Sequence, residues 1–204
     1  MRQSLPLLCL IAFLAAPSLY GAEEYTWWID PCTPALAKST ACETDDASLG
    51  RWALEAWQRE SSSAIVFKRS PTEEDARIRI HWAGGTDSLY GETKPIFVAG
   101  QRGANIYVLP DLKGLGPDIA AAGRRDRLFR DTVVYLTCLH ESGHALGLKH
   151  TSNFADIMYA FGYGGDIVEY FQRYRRQLQT RADIPRHSGI SDSDRANLRA
   201  LLRQ

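Results

Sequence analysis

The residues best equipped for chemistry lie in one run, His140-Glu141-Ser142-Gly143-His144-Ala145-Leu146-Gly147-Leu148-Lys149-His150. An α-helix turns by about 100° per residue, so with His140 at zero, Glu141 falls near 100° and His144 near 40°. All three therefore project from one flank. Two imidazoles one turn apart can share a metal ion, with the carboxylate beside it and not necessarily bound to it. Gly147 is the residue type that lets a helix end in a left-handed turn. The chain can then swing back and bring His150 to the same ion from outside the helix. Three neutral imidazoles leave the fourth position of a tetrahedral Zn²⁺ open for water, which marks a catalytic rather than a structural site. Glu141 stands where it can take a proton from that water and later deliver one to a leaving group. The expected assignment is His140, His144 and His150 as ligands of one Zn²⁺ and Glu141 as the catalytic residue.

These side chains need a helix to hold them. Phe129, Val133, Leu136 and His140 recur at helical spacing, and Val134, Cys138 and Ala145 fill another flank. The pattern predicts a helix starting near Arg127 or Asp131, apolar on most sides and buried through the core. A core helix with incidental histidines is the alternative, but it would bury adjacent imidazoles with nothing to satisfy them, at considerable cost. Three of the chain's five histidines fall inside the motif.

The other elements read as α+β. Strands are predicted at Tyr25–Ile29, Ala64–Lys68, Ala76–Trp82 and Ile106–Leu109, the last stopped by Pro110. Leu49, Trp52, Ala53, Ala56 and Trp57 form a helical stripe from about Asp46 to Gln58. In the third strand Ile78, Ile80 and Trp82 alternate with Arg77, Arg79 and His81, which makes His81 an outward or half-buried strand residue rather than a ligand. The Gly/Pro-rich stretch from Asp111 to Gly123 reads as a loop.

Downstream of the histidines, Thr151-Ser152-Asn153-Phe154-Ala155-Asp156-Ile157-Met158-Tyr159 resembles the Met-turn of the metzincin metallopeptidases, in which a methionine underlies three zinc histidines. Met158 follows His150 by eight residues, and the only other methionine is Met1. Spacing and the Ile-Met-Tyr string look most like the matrixins, in a bacterial-type form lacking a propeptide. Asp75-Ala76-Arg77-Ile78-Arg79-Ile80 is similar to that family's third strand, and Ser191-Asp192-Ser193-Asp194 to the capped start of its last helix. The resemblance runs from roughly Tyr25 to the C-terminus. It implies an α+β zincin domain: a twisted mixed sheet, a buried zinc helix, the Met-turn and a C-terminal helix. It also implies a cleft in which substrate lies extended along an edge strand. That edge is expected to be the Ile106–Leu109 strand.

The chain departs from the family at several points. Gly84 to Gly103 contains no histidine, so the structural zinc of vertebrate-type matrixins is not expected. Calcium, which those proteins also bind, is possible here but not readable from the sequence. Ala160 stands where the family has proline after Met-Tyr, which implies a remodelled specificity pocket. Residues 164–189 form an insertion in which Ile167, Phe171, Tyr174 and Leu178 make an apolar stripe opposite Arg173 and Arg176. The arginines read as a solvated helix face. The sharper reading is a lid hinged at Gly162, Gly164 and Gly165 that selects substrate. His187 has no partner at metal spacing and is expected at the surface.

A chain of 204 residues, 45% hydrophobic, suffices for a domain with its own core. Residues 1–22 read as a signal peptide, with Arg2, the apolar run Leu5–Ala16, then small and turn-forming residues. Residues 23–204 then form a single catalytic domain. The apolar run is too short to span a bilayer, so no stable membrane insertion is expected. The chain carries 24 basic and 24 acidic residues, a balance that gives no reason to expect nucleic acid as a partner. Export would leave Cys32, Cys42 and Cys138. An oxidising compartment favours a bridge, expected between Cys32 and Cys42, with Cys138 a small buried apolar residue. Latency through Cys32 is not expected, because its surroundings do not match the family's cysteine switch.

The resemblance and the motif together imply a secreted or periplasmic zinc-dependent endopeptidase acting on protein or peptide substrates. The competing class is a zinc-containing binding protein with the same fold and little turnover. Glu141 argues against it, since binding metal needs only the histidines. Oligomeric state is not encoded in any readable feature.

Overall fold

The computed structural model describes residues 21–84 and 90–203. Its first strand, β1 (Glu23–Ile29), leads into α1 (Pro34–Thr40) and α2 (Asp46–Glu60), followed by β2 (Ile65–Arg69), β3 (Ile78–Trp82), β4 (Gly91–Val98) and β5 (Gln101–Val108). Then come α3 (Pro117–Arg125), the long α4 (Arg127–Leu146), α5 (Ile167–Arg175) and α6 (Asp192–Leu201). Among the described residues the strands form one five-stranded mixed sheet in the order β2-β1-β3-β5-β4, parallel except for β4. The fold is α+β.

α4 owes its place to its composition. Phe129, Val133, Val134, Tyr135, Cys138 and Leu139 are all fully buried, because the helix packs on the sheet through β4 and β5 and also on α2 and α5. Its start is capped by Asp126, whose side chain accepts from the backbone N–H of Leu128 and Phe129. Trp57 ties α2 to it, its indole N–H donating to the Leu139 carbonyl at 2.8 Å. A buried ion pair joins their N-terminal ends, Arg130 on α4 to Asp46 on α2.

The edge of the sheet differs from expectation. β5 is interior, flanked by β3 and β4, and the edge on that side is β4, with β2 at the other. The sequence Gly91-Glu92-Thr93-Lys94-Pro95 hid this strand, being polar and carrying a proline. Both features suit an edge. The Tyr90 carbonyl accepts from Leu109 N–H at 3.0 Å, and antiparallel ladders alternate. Gly91, Thr93, Pro95 and Phe97 therefore turn their backbone groups to the open side. Pro95 loses no ladder bond there.

One further stretch was read as irregular. Asp111–Gly123 contains a 3₁₀ turn at Leu112–Leu115 and most of α3. Gly116 has φ +110° and Pro117 opens the helix, so the supposed breakers are its boundary signals. α1 begins in the same way: Thr33 accepts from Leu36 N–H and Pro34 starts the helix. This short helix lies within the loop closed by the Cys32–Cys42 disulfide, while Cys138 is buried and free.

The lid expectation for residues 164–189 is not supported. Tyr170, Phe171, Tyr174 and Leu178 are 2% exposed, and α5 packs on α4. Phe171 meets Phe129 edge-on and Tyr174 stacks on Tyr135. The stripe is core. Arg173 is also not a solvated residue: it lies over the Tyr170 ring and donates to the Phe154 carbonyl. Arg176 does sit at the surface, paired with Glu169.

Candidate metal centre

The end of α4 is built to return the chain. Leu148 N–H donates to the Gly143 carbonyl and Gly147 N–H to that of His144, both at 2.9 Å, with Gly147 at φ +109°. This is a Schellman closure, and the left-handed position favours glycine. The reversed chain then pairs with the segment beyond it. Thr151 N–H donates to Met158 O at 2.8 Å, and Ala160 N–H to Thr151 O at 3.1 Å. His150 is thereby carried back over His140 and His144.

The three imidazoles converge. His150 Nε2 lies 3.2 Å from His140 Nε2 and 3.0 Å from His144 Nε2, and the three ligand atoms all fall within 4.8 Å of one another. Ligands held 2.0–2.1 Å from one tetrahedral ion are roughly 3.3 Å apart. The tautomers agree with this arrangement. His140 Nδ1 is 2.7 Å from Ile157 O and His144 Nδ1 is 2.9 Å from Leu148 O. Each carbonyl requires an N–H at Nδ1 and leaves a lone pair at Nε2. Those two lone pairs both face His150 Nε2, which has one proton at most to offer. The triad fits a metal ion, which would accept all three.

Burial favours the neutral form of two of these imidazoles. It lowers the His140 pKa from 6.5 to about 3, and lowers that of His150 as well. Below them lies Met158, fully buried. A Cβ at Gly143 would strike its sulfur, so this glycine sets the closeness of helix and turn. The turn is locked from α6. Asp194 accepts from Ile157 N–H at 2.7 Å and Met158 N–H at 3.3 Å, while its carboxylate and Ser191 complete the α6 capping box. The carbonyl that orients His140 thus depends on a side chain far along the sequence.

Glu141 lies 6% exposed beneath β4. Thr93 Oγ1 is 2.6 Å from Glu141 Oε2, within donating distance. At Gly91 an added Cβ would come within 2.7 Å of Glu141 Cγ and 3.0 Å of Oε1. Burial raises the Glu141 pKa above its ordinary 4.5, against the pull of the Thr93 hydrogen bond and His144. The chemistry available is that of a general base beside a metal ion.

A cleft of about 510 Å³ opens over these groups, walled by Tyr90, Gly91, Thr93, Leu136, Thr137, Tyr159, Ala160, Phe161, Ile167, Tyr170 and Phe171. Its far wall is largely aromatic and includes three residues of α5. The insertion therefore shapes the cleft as fixed structure. Of the remaining histidines, His81 is half-buried on β3, 3.2 Å from Asp30 and stacked on Tyr107. His187 is half-buried, its carbonyl accepting from the Tyr174 hydroxyl at 2.6 Å. Both lie apart from the triad. Sequence reasoning named His140, His144 and His150, which the structure brings together, and Glu141 in the same cleft; it did not find Thr93, Gly91 or the contact of Asp194 with the turn. The one signal available was the Ser191–Asp194 capping box that opens α6. Compared with known proteins, the chain matches no protein-family model and no curated protein.

Proposed function

We propose that this chain is a zinc-dependent endopeptidase of the metzincin type, closest to the matrixins, working in a secreted or periplasmic setting. The observation that carries the reading is the meeting of three imidazole Nε2 atoms, two with tautomers fixed by backbone carbonyls, beside a buried carboxylate at the mouth of an apolar cleft.

His140, His144 and His150 would hold Zn²⁺, which when bound supplies Lewis acidity toward a carbonyl and lowers the pKa of water to about 7. Glu141 accepts a proton from water in the cleft and hands it to the departing amine. Its raised pKa suits both steps, since a base of very low pKa could not return the proton near neutrality. The open edge of β4 offers the backbone groups of Gly91 and Thr93 to an extended peptide, as in β-strand addition. The aromatic wall receives an apolar side chain. The Cys32–Cys42 disulfide fits an oxidising compartment.

The test is digestion of an unstructured peptide library with and without a chelator. Internal cleavage that stops with chelator and returns with added zinc is the expected result. Binding of the same peptides with no cleavage would favour the zinc-containing binding protein instead.

A further inference from the structure

The edge strand touches Glu141, and the contact is made by a side chain. We propose that Thr93 is a positioning residue for Glu141, holding its carboxylate aimed into the cleft while the same residue's backbone faces the substrate.

Three observations support this. Thr93 Oγ1 approaches Glu141 Oε2 to 2.6 Å, the short distance of a hydroxyl donating to a charged carboxylate. The same hydroxyl lies 3.0 Å from the Glu141 backbone carbonyl; its single proton serves the nearer carboxylate, so the contact follows both side chain and helix. Gly91, two residues earlier, lets the strand close onto Glu141, since any Cβ there would press on Cγ and Oε1. One carboxylate oxygen is thus tied by Thr93, and the other is confined under Gly91 beside the cleft.

The placement has a chemical consequence. Glu141 is a residue with several side-chain torsions in a cleft that must admit water and substrate. Untied, it would spend part of its time in rotamers that do not face the reacting water, and small misplacements of a catalytic group cost rate steeply. Thr93 also lies on the strand proposed to align the peptide, with its backbone groups on the open side. Base and substrate are therefore referenced to one residue.

This inference rests on the hydrolase reading, and the experiment separates the two. Thr93→Val keeps the β-branched shape and removes the donor, whereas Thr93→Ser keeps the donor. With a cleaved peptide, Thr93→Val is expected to lower kcat by about tenfold, the loss of one positioning hydrogen bond. KM should stay within about twofold and zinc content unchanged. Thr93→Ser should recover most of the rate. Crystal structures of the variants should show the Glu141 carboxylate displaced in Thr93→Val and in place in Thr93→Ser, a readout independent of turnover that also covers poor expression of either variant for kinetics. A Thr93→Val enzyme with unchanged kcat, a Thr93→Ser enzyme no better than it, or an unmoved carboxylate overturns the positioning role. If the unaltered protein shows no chelator-sensitive cleavage, the hydrolase reading falls and the Thr93 role with it. If it cleaves, and only the Thr93 variants fail to respond, Thr93 alone is wrong.

Discussion

Glu141 sits between opposing influences, burial that favours its neutral form and a hydroxyl that favours its charged form, and burial dominates. A base works when deprotonated, so activity is lost as pH falls through its raised pKa. The acid limb of kcat/KM should therefore have its midpoint above the ordinary 4.5 of a glutamate. Zinc content measured across the same range separates this from loss of the ligands: it should hold at one equivalent through the midpoint. Activity that only follows zinc content down, and does not fall ahead of it, would contradict the assignment. At this scale the histidines and Glu141 were legible because their relation is local, set by helical spacing and a glycine. Thr93 and Asp194 were not legible. Their partners lie 48 and 37 residues away, and no local pattern marks a threonine on a strand or an aspartate in a cap as part of a site.

Among the elements, α5 and β4 change the account most. The apolar stripe of 164–189 was visible at helical spacing, but periodicity does not say which surface a stripe will cover. The structure sets it on α4, where Phe171 is buried against Phe129 and Tyr90. Phe171→Ala should therefore destabilise the fold by about 3–5 kcal/mol, the usual cost of emptying a buried aromatic site. Denaturant unfolding measures this. A loss under about 1 kcal/mol with an altered cleavage preference would restore the lid reading. Excising 164–189 should likewise prevent folding. β4 escaped notice because edge strands lack the run of buried residues by which strands are recognised, and its proline counts against a strand unless the edge is known. α3 escaped because proline and glycine were read as breakers, though proline in the first turn starts a helix as readily as it ends one. α2, α4 and α6 were legible, being amphipathic or capped in ways that need no knowledge of their neighbours.

At the scale of the molecule, the sheet, the buried helix and the α6 cap act together to bring Gly91 and Thr93 to one cleft with His140, Glu141, His144 and His150, and to set Ile157 and Met158 in the core below. The order of the strands was the least legible feature, since it is decided by which faces pack and by no single segment. The covalent frame was clearer. Cys32 and Cys42 are bridged around α1, and Cys138 is free in the core. Protein beginning at Glu23 should show no reactive thiol when native, one on denaturation and three after reduction. Three thiols without reduction would contradict the bridge. Loss of the bridge should cost about 2–4 kcal/mol.

The central claim is that three imidazoles hold one zinc ion and that Glu141 works beside it without binding it. Zinc content, measured on the purified protein together with Glu141→Gln and His144→Ala, tests this most directly. The unaltered protein and Glu141→Gln should each carry one equivalent, with peptide cleavage reduced on the order of 10²-fold or more in the latter. His144→Ala should lose most of its metal. A Glu141→Gln protein that loses its zinc would make Glu141 a ligand, and a metal-free preparation with full activity would contradict the account altogether.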